Sequence, residues 1–146
     1  MGLQALDHYS VRTTDVAATQ AFYEDVLGLR AGARPPFPFP GAWLYVGERP
    51  LVHVIGIDPQ DQQGLRDYLG ARAPGSGKPD TGALNTGALD HIAFSAADLP
   101  AMRERLAGLG IAARERAVPG LGLQQMFLTD PNGVVIELNF PLAEAV

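Results

Sequence analysis

The sequence contains no cysteine among its 146 residues. This absence excludes disulfide bonds and every metal site that depends on thiolate ligands. The lack of cysteine also agrees with a reducing compartment, where proteins rarely contain disulfide bonds. Histidine is scarce as well, with three residues in the whole chain.

Positive charge and long apolar runs are equally limited. The formal net charge is −5, which argues against a nucleic-acid partner because such proteins usually present a basic face. No apolar run approaches the roughly 18 residues that a membrane span needs, and no basic start precedes an apolar stretch as in a secretory signal. With 47% apolar and 18% charged residues, we expect one globular cytoplasmic domain.

The sequence does contain an internal repeat. The segment Leu6-Asp7-His8 returns as Leu89-Asp90-His91, 83 residues later. His53 and Glu137 each lie within a β-rich segment, and they are 84 residues apart. A constant offset at several landmarks indicates two copies of one structural unit.

Both copies predict the same order of elements. Each has a short strand, then a helix that begins after an aspartate cap and ends at a glycine, then further strands. We therefore expect an α+β fold with two tandem βαβββ modules. The first covers residues 1–57 and the second residues 89–146, and a linker rich in glycine and proline joins them at residues 58–88.

The three histidines and Glu137 fall at corresponding strand positions of the two copies. If the two sheets meet around a pseudo-twofold axis, His8, His53, His91 and Glu137 converge. Imidazole and carboxylate are the usual ligands of divalent ions such as Zn, Ni, Mn and Fe(II). A single strand histidine is more often a packing residue, and a buried Glu137 has an ion pair with Arg12 as its alternative.

Four stretches resemble the vicinal oxygen chelate superfamily: the two Leu-Asp-His segments, residues 21–29 (AFYEDVLGL) and residues 130–138 (DPNGVVIEL). That superfamily includes glyoxalase I, extradiol dioxygenases and bleomycin-resistance proteins. The resemblance implies paired modules that form a cupped mixed sheet around one divalent metal ion, often in a homodimer. The family's ligand positions match His8, His53, His91 and Glu137. His53 departs from glyoxalase I, which has a carboxylate there.

Four protein ligands leave two positions on an octahedral ion, enough for the adjacent oxygens of a small substrate. This arithmetic favours a glyoxalase-like isomerase or lyase, in which the metal polarises a carbonyl and stabilises an enediolate. Glu137 is the natural base for the proton alpha to that carbonyl, and His53 is the second candidate.

Two alternatives remain open. If His53 points away from the metal, then His8, His91 and Glu137 form the triad of an extradiol dioxygenase, His53 becomes its acid–base residue, and Tyr9 or Tyr45 is a possible partner. The third reading is a ligand-sequestering protein of the bleomycin-resistance type, without metal. We expect the substrate pocket to be lined by Arg12, Phe37, Phe39, Trp43, Tyr45 and Phe127. Ordinary core packing is the competing explanation for Trp43 and Phe127.

Overall fold

The computed structural model describes residues 2–58, 60, 63–64 and 86–146. The chain divides into two compact units, Met1–Ala83 and Leu84–Val146. The predicted linker at residues 58–88 lies mostly outside the described residues. No helix in the described part of the chain has the length and apolar character that a membrane crossing requires.

The first unit has the predicted βαβββ order. Its elements are β1 (Tyr9–Thr13), α1 (Val16–Ala21) continued by a π-helical turn (Phe22–Val26), β2 (Arg30–Gly32), β3 (Gly41–Val46) and β4 (Arg49–Gly56). Strand β1 pairs in parallel with β4, and the β4–β3 and β3–β2 pairs are antiparallel, so the sheet order is β1-β4-β3-β2.

Alternation along β4 decides which side chains reach each face of this sheet. Val52 and Val54 are almost fully buried and pack in the core with Tyr23 of the helical segment. His53 lies between them in sequence and therefore points to the opposite face of the sheet. The core thus fixes the face that presents His53.

The second unit repeats the topology. Its elements are β5 (Ile92–Ser95), α2 (Leu99–Leu109), β6 (Arg114–Val118), β7 (Leu123–Thr129) and β8 (Val135–Pro141). Strand β5 pairs in parallel with β8, the remaining pairs are antiparallel, and the sheet order is β5-β8-β7-β6. Together the two four-stranded mixed sheets confirm the predicted α+β class.

Two boundaries differ from the sequence-based expectation. The sequence analysis assigns His8 and His91 to strand positions, but β1 and β5 begin at Tyr9 and Ile92, so both histidines lie immediately before the strands. Both histidines are exposed, and no ladder hydrogen bond extends the strands to them. Strand β6 carried no clear sequence signal because it is an edge strand with charged residues, as edge strands often are.

Candidate active site

His8 and His91 share one local arrangement. The Nδ1 atom of His8 lies 2.6 Å from Oδ2 of Asp7, and Nδ1 of His91 lies 2.7 Å from Oδ2 of Asp90. Because a carboxylate only accepts, Nδ1 of each ring donates, which leaves Nε2 of His8 as the second nitrogen of that ring. Nε2 of His91 faces another carboxylate, that of Glu137 at 3.0 Å, so this nitrogen donates as well. The bond from His8 also lowers the pKa of the Asp7 carboxyl. A carboxylate behind the imidazole is the usual support of a metal-binding histidine.

His53 is held differently. Its Nε2 atom lies 3.0 Å from the carbonyl oxygen of Pro50, so in the neutral ring Nε2 donates and Nδ1 carries the lone pair. The imidazole is stacked between two rings, with centroids 3.7 Å from His8 and 4.0 Å from Trp43. Burial, followed by the nearby His8, lowers the pKa of His53 below its ordinary 6.5. The ring is therefore neutral at pH 7.

Glu137 is buried in the second unit, as the sequence predicts, with 6% of its surface exposed. Its Oε2 atom lies 3.0 Å from Nε2 of His91, and its Oε1 accepts a 2.6 Å hydrogen bond from Nε2 of Gln125. These contacts satisfy the carboxylate within its own unit. The predicted alternative partner, Arg12, belongs to the first unit.

Gln125 is a site residue that the sequence reasoning missed. It is 6% exposed, donates to Glu137 and accepts a 2.7 Å hydrogen bond from Nε of Arg116. The available signal was positional, since Gln125 and Glu137 alternate onto the same face of neighbouring antiparallel strands. A chain of hydrogen bonds thus runs from Arg116 through Gln125 and Glu137 to His91 and Asp90.

The donor chemistry of these pairs suits a divalent ion of the Zn, Ni, Mn or Fe(II) type. Nε2 of His8 is not used by the Asp7 contact, and Nε2 of His91 and Oε2 of Glu137 would both become ligand atoms if a divalent ion replaced the proton between them. Within each unit the candidate ligands come as a pair. Among the residues that the structure describes, no group of three or more histidine and acidic side chains is close enough to hold a metal ion.

A cavity of about 580 Å³ opens beside the histidines of the first unit. Four of the predicted pocket residues line it: Arg12, Phe37, Phe39 and Trp43. The remaining lining residues are Asp7, His8, Ser10, Arg34, His53, Val54 and Ile55. The cavity therefore combines imidazoles, aromatic rings and two guanidinium groups.

Two predicted pocket residues have other surroundings. The hydroxyl of Tyr45 donates to the carbonyl oxygen of Ala33 at 2.5 Å, and its ring covers Gly32, so it does not line this cavity. Phe127 lies in the second unit opposite Glu137 on β8, with the guanidinium carbon of Arg114 4.7 Å from its ring centroid.

The predicted hydroxyl partners of an oxygenase are both engaged elsewhere. The hydroxyl of Tyr9 donates to that of Tyr23 at 3.1 Å, on the core side of the first sheet. The hydroxyl of Tyr45 contacts Ala33 as described. Neither group therefore faces His53.

Comparison with known proteins places these features in context. Residues 5–138 match the family model described as Glyoxalase/Bleomycin resistance protein/Dioxygenase superfamily. The chain is 32% identical over 139 residues to "Glyoxylase I 4" of Arabidopsis thaliana, covering 93% of this chain and 70% of that protein.

Solved structures of similar fold carry different names. A lactoylglutathione lyase from Agrobacterium tumefaciens is 24% identical with a TM-score of 0.60, and 94% of each chain is covered. An antibiotic-binding protein from a Streptomyces species is 21% identical with a TM-score of 0.61, covering 97% of this chain and 98% of that one. Similarity at this level shows a common fold, which supports different activities.

Proposed function

The chain belongs to the Glyoxalase/Bleomycin resistance protein/Dioxygenase superfamily, and from this premise we propose that it is a divalent-metal-dependent isomerase or lyase of the glyoxalase type. The proposed ligands are His8, His91, Glu137 and His53. One observation carries the proposal: Asp7 and Asp90 each accept from Nδ1 of one of the two repeat-related histidines, so Nε2 of each ring is the nitrogen that a metal ion would bind.

A bound divalent ion would supply Lewis-acid polarisation of two adjacent oxygens on a small substrate. The chain's own residues supply the proton transfer. Glu137 Oε2 is the proposed base, while Gln125 holds Oε1 and thereby fixes the orientation of the carboxylate. His53, neutral and buried among rings, accepts a proton at Nδ1 as the second base.

The geometry of His53 favours a second candidate function. Its Nε2 is bonded to Pro50 and its ring is held between two others, whereas His8 and His91 have carboxylate support at Nδ1. If His53 keeps this orientation, three ligands remain and His53 is the acid–base residue of an extradiol dioxygenase. A metal-free sequestering protein is the third candidate, and the aromatic lining of the cavity supports it.

Elemental analysis of the protein purified without chelators distinguishes these functions. We expect about one equivalent of Ni, Zn or Mn per chain in the wild type, and a sharp loss in both His91→Ala and His53→Ala. Asp25→Asn, which removes an exposed carboxylate on the first helical segment, is the control and should keep its metal.

The other outcomes favour one of the two alternative functions. Iron that His53→Ala retains, together with oxygen uptake on catechols, favours the dioxygenase. A wild type that takes up no divalent ion even after reconstitution contradicts both enzymes and leaves the sequestering protein. We also propose that the protein is cytoplasmic and forms a homodimer. Sedimentation equilibrium of the purified chain tests the dimer directly.

A further inference from the structure

The far end of the cavity presents a cation held between aromatic rings. The guanidinium carbon of Arg34 lies 5.1 Å from the ring centroids of both Phe37 and Phe39, and one Nη donates to the carbonyl oxygen of Phe39 at 2.8 Å. No carboxylate in the described part of the chain forms an ion pair with Arg34. Partial burial lowers the pKa of Arg34 below its ordinary value, and the guanidinium stays charged at neutral pH.

A row of five rings runs from this cation to His8, which is itself a proposed metal ligand. His8 stacks on His53 and His53 on Trp43, with interplanar angles of 12° and 11°. The Trp43 ring lies 6.2 Å from Phe37, which is parallel to Phe39 at 5.3 Å. All five rings line the same cavity, so part of its wall is a set of flat faces.

The two ends of this wall differ in charge. Asp7 and His8 lie at one end, where the proposed substrate oxygens bind, and Arg34 lies at the other. A planar ligand gains stacking energy along the wall, and a negative group gains a charge-assisted bond at the Arg34 end. Arg12 is the second guanidinium that lines the same cavity. An aliphatic ligand or an uncharged ring gains only one of these two contributions.

We propose that the cavity binds substrates with a planar aromatic ring and a carboxylate, the ring lying against Trp43 and Phe37 and the carboxylate pairing with Arg34. This inference deepens the proposed function by naming its substrate class, and it rests on that function for the reaction. Binding itself depends on residues of the first unit and requires no metal.

Trp43 is the only tryptophan of the chain, so tryptophan emission, excited selectively over that of the four tyrosines, reports on this cavity. We would titrate the chelator-treated protein with benzoate, with cyclohexanecarboxylate, which lacks the ring, and with benzyl alcohol, which lacks the charge. Benzoate is expected to change Trp43 emission with a Kd about tenfold below those of the other two, because a charge-assisted bond is typically worth such a factor.

Variants at Arg34 test the anion contact. Arg34→Gln should weaken benzoate about tenfold and leave benzyl alcohol unchanged, while Arg34→Lys should retain part of the preference. Arg30→Gln removes an exposed arginine of β2 that does not line the cavity, and it should bind like the wild type. Thermal unfolding of each variant establishes that it is folded.

Equal affinity for the three probes, or benzoate binding that Arg34→Gln leaves unchanged, would overturn the inference. Repeating the titrations on metal-loaded protein separates the two proposals. Benzoate binding without any metal uptake would support the substrate class and contradict the metal-dependent enzyme. Metal uptake without benzoate preference would do the reverse.

Discussion

At the scale of single residues, the position of Glu137 depends on Gln125. The amide of Gln125 donates to Oε1 of Glu137 and to Oδ1 of Asn139, and Arg116 donates to its carbonyl oxygen. A carboxylate that is 6% exposed cannot replace such a donor with bulk water. Gln125 therefore both stabilises the buried charge and restricts its rotation.

Replacing Gln125 by leucine should lower the free energy of unfolding by about 1–3 kcal/mol, because the buried carboxylate loses its donor at Oε1. Gln20→Leu is the matched control, since Gln20 also donates to a glutamate, Glu24 at 2.8 Å, but that pair on the first helical segment is only partly buried. That change should cost only about 0.2–0.5 kcal/mol. Urea denaturation measures both, and equal losses would show that Gln125 has no special role.

Single residues also differ in how well the sequence predicts their roles. Glu137 is recognisable in the sequence because a carboxylate within Val-Val-Ile-Glu-Leu must be buried with partners. Gln125 and Arg34 are not, since their roles arise from a cross-strand register and from a loop that turns back on itself. A glutamine in a strand has no intrinsic signature that separates it from a surface residue.

At the scale of elements, the two repeat-related helices begin with aspartate caps in different backbone conformations. Asp15 accepts from the backbone amide of Ala18 with φ −134°, and Asp98 accepts from that of Ala101 with φ +66°. Asp98 is the one described non-glycine residue with positive φ. Aspartate tolerates this left-handed region better than alanine because its short polar side chain bonds locally.

Asp15→Ala should cost about 1 kcal/mol for the lost cap. Asp98→Ala should cost about 1 kcal/mol more than that, since alanine must also occupy the left-handed region. Asp98→Asn preserves both features and should remain within about 0.5 kcal/mol of the wild type. Unfolding free energies from chemical denaturation provide the comparison. Equal costs for the two alanine variants would contradict a contribution from the left-handed backbone at position 98.

Helix α2 is tied to the edge strand β6 by one ion pair. Nη2 and Nε of Arg103 donate to Glu115 at 2.8 and 3.1 Å, and Gln124 of β7 donates to the same carboxylate at 3.1 Å. The bond from Arg103 is the largest cause that lowers the pKa of Glu115 below its ordinary 4.5. The pair thus joins three elements of the second unit.

A lowered folded-state pKa fixes the sign of the pH dependence. The unfolded chain binds a proton at Glu115 more readily than the folded chain, so the contribution is present above pH 4.5 and is lost as the pH falls through the lowered value. Glu115→Gln should therefore be less stable than the wild type at pH 7, with a difference that shrinks below pH 4.5. Glu104 is exposed on helix α2, and Glu104→Gln should show no such trend in thermal unfolding.

At the scale of the whole molecule, the repeat carries most of what sequence can predict. Helix α2 begins after Asp98 and ends at Gly110, as an aspartate cap and a terminal glycine predict, because both boundaries depend on local chemistry. The sheet order follows from repeating one module. The starts of β1 and β5 were predicted too early, because strand ends depend on pairing with β4 and β8 rather than on local residue type.

Metal binding should stabilise the entire chain if His8 of one repeat and His91 of the other hold the same ion. A ligand bound only by the folded state adds about 2.7 kcal/mol at a concentration 100 times its Kd. We expect Zn²⁺ or Ni²⁺ to raise the Tm of the wild type, and EDTA to reverse the effect. His8→Ala and His91→Ala should each abolish the shift, although they lie in different units. A shift that survives in either variant would contradict a shared ion and indicate that the remaining histidine binds its own.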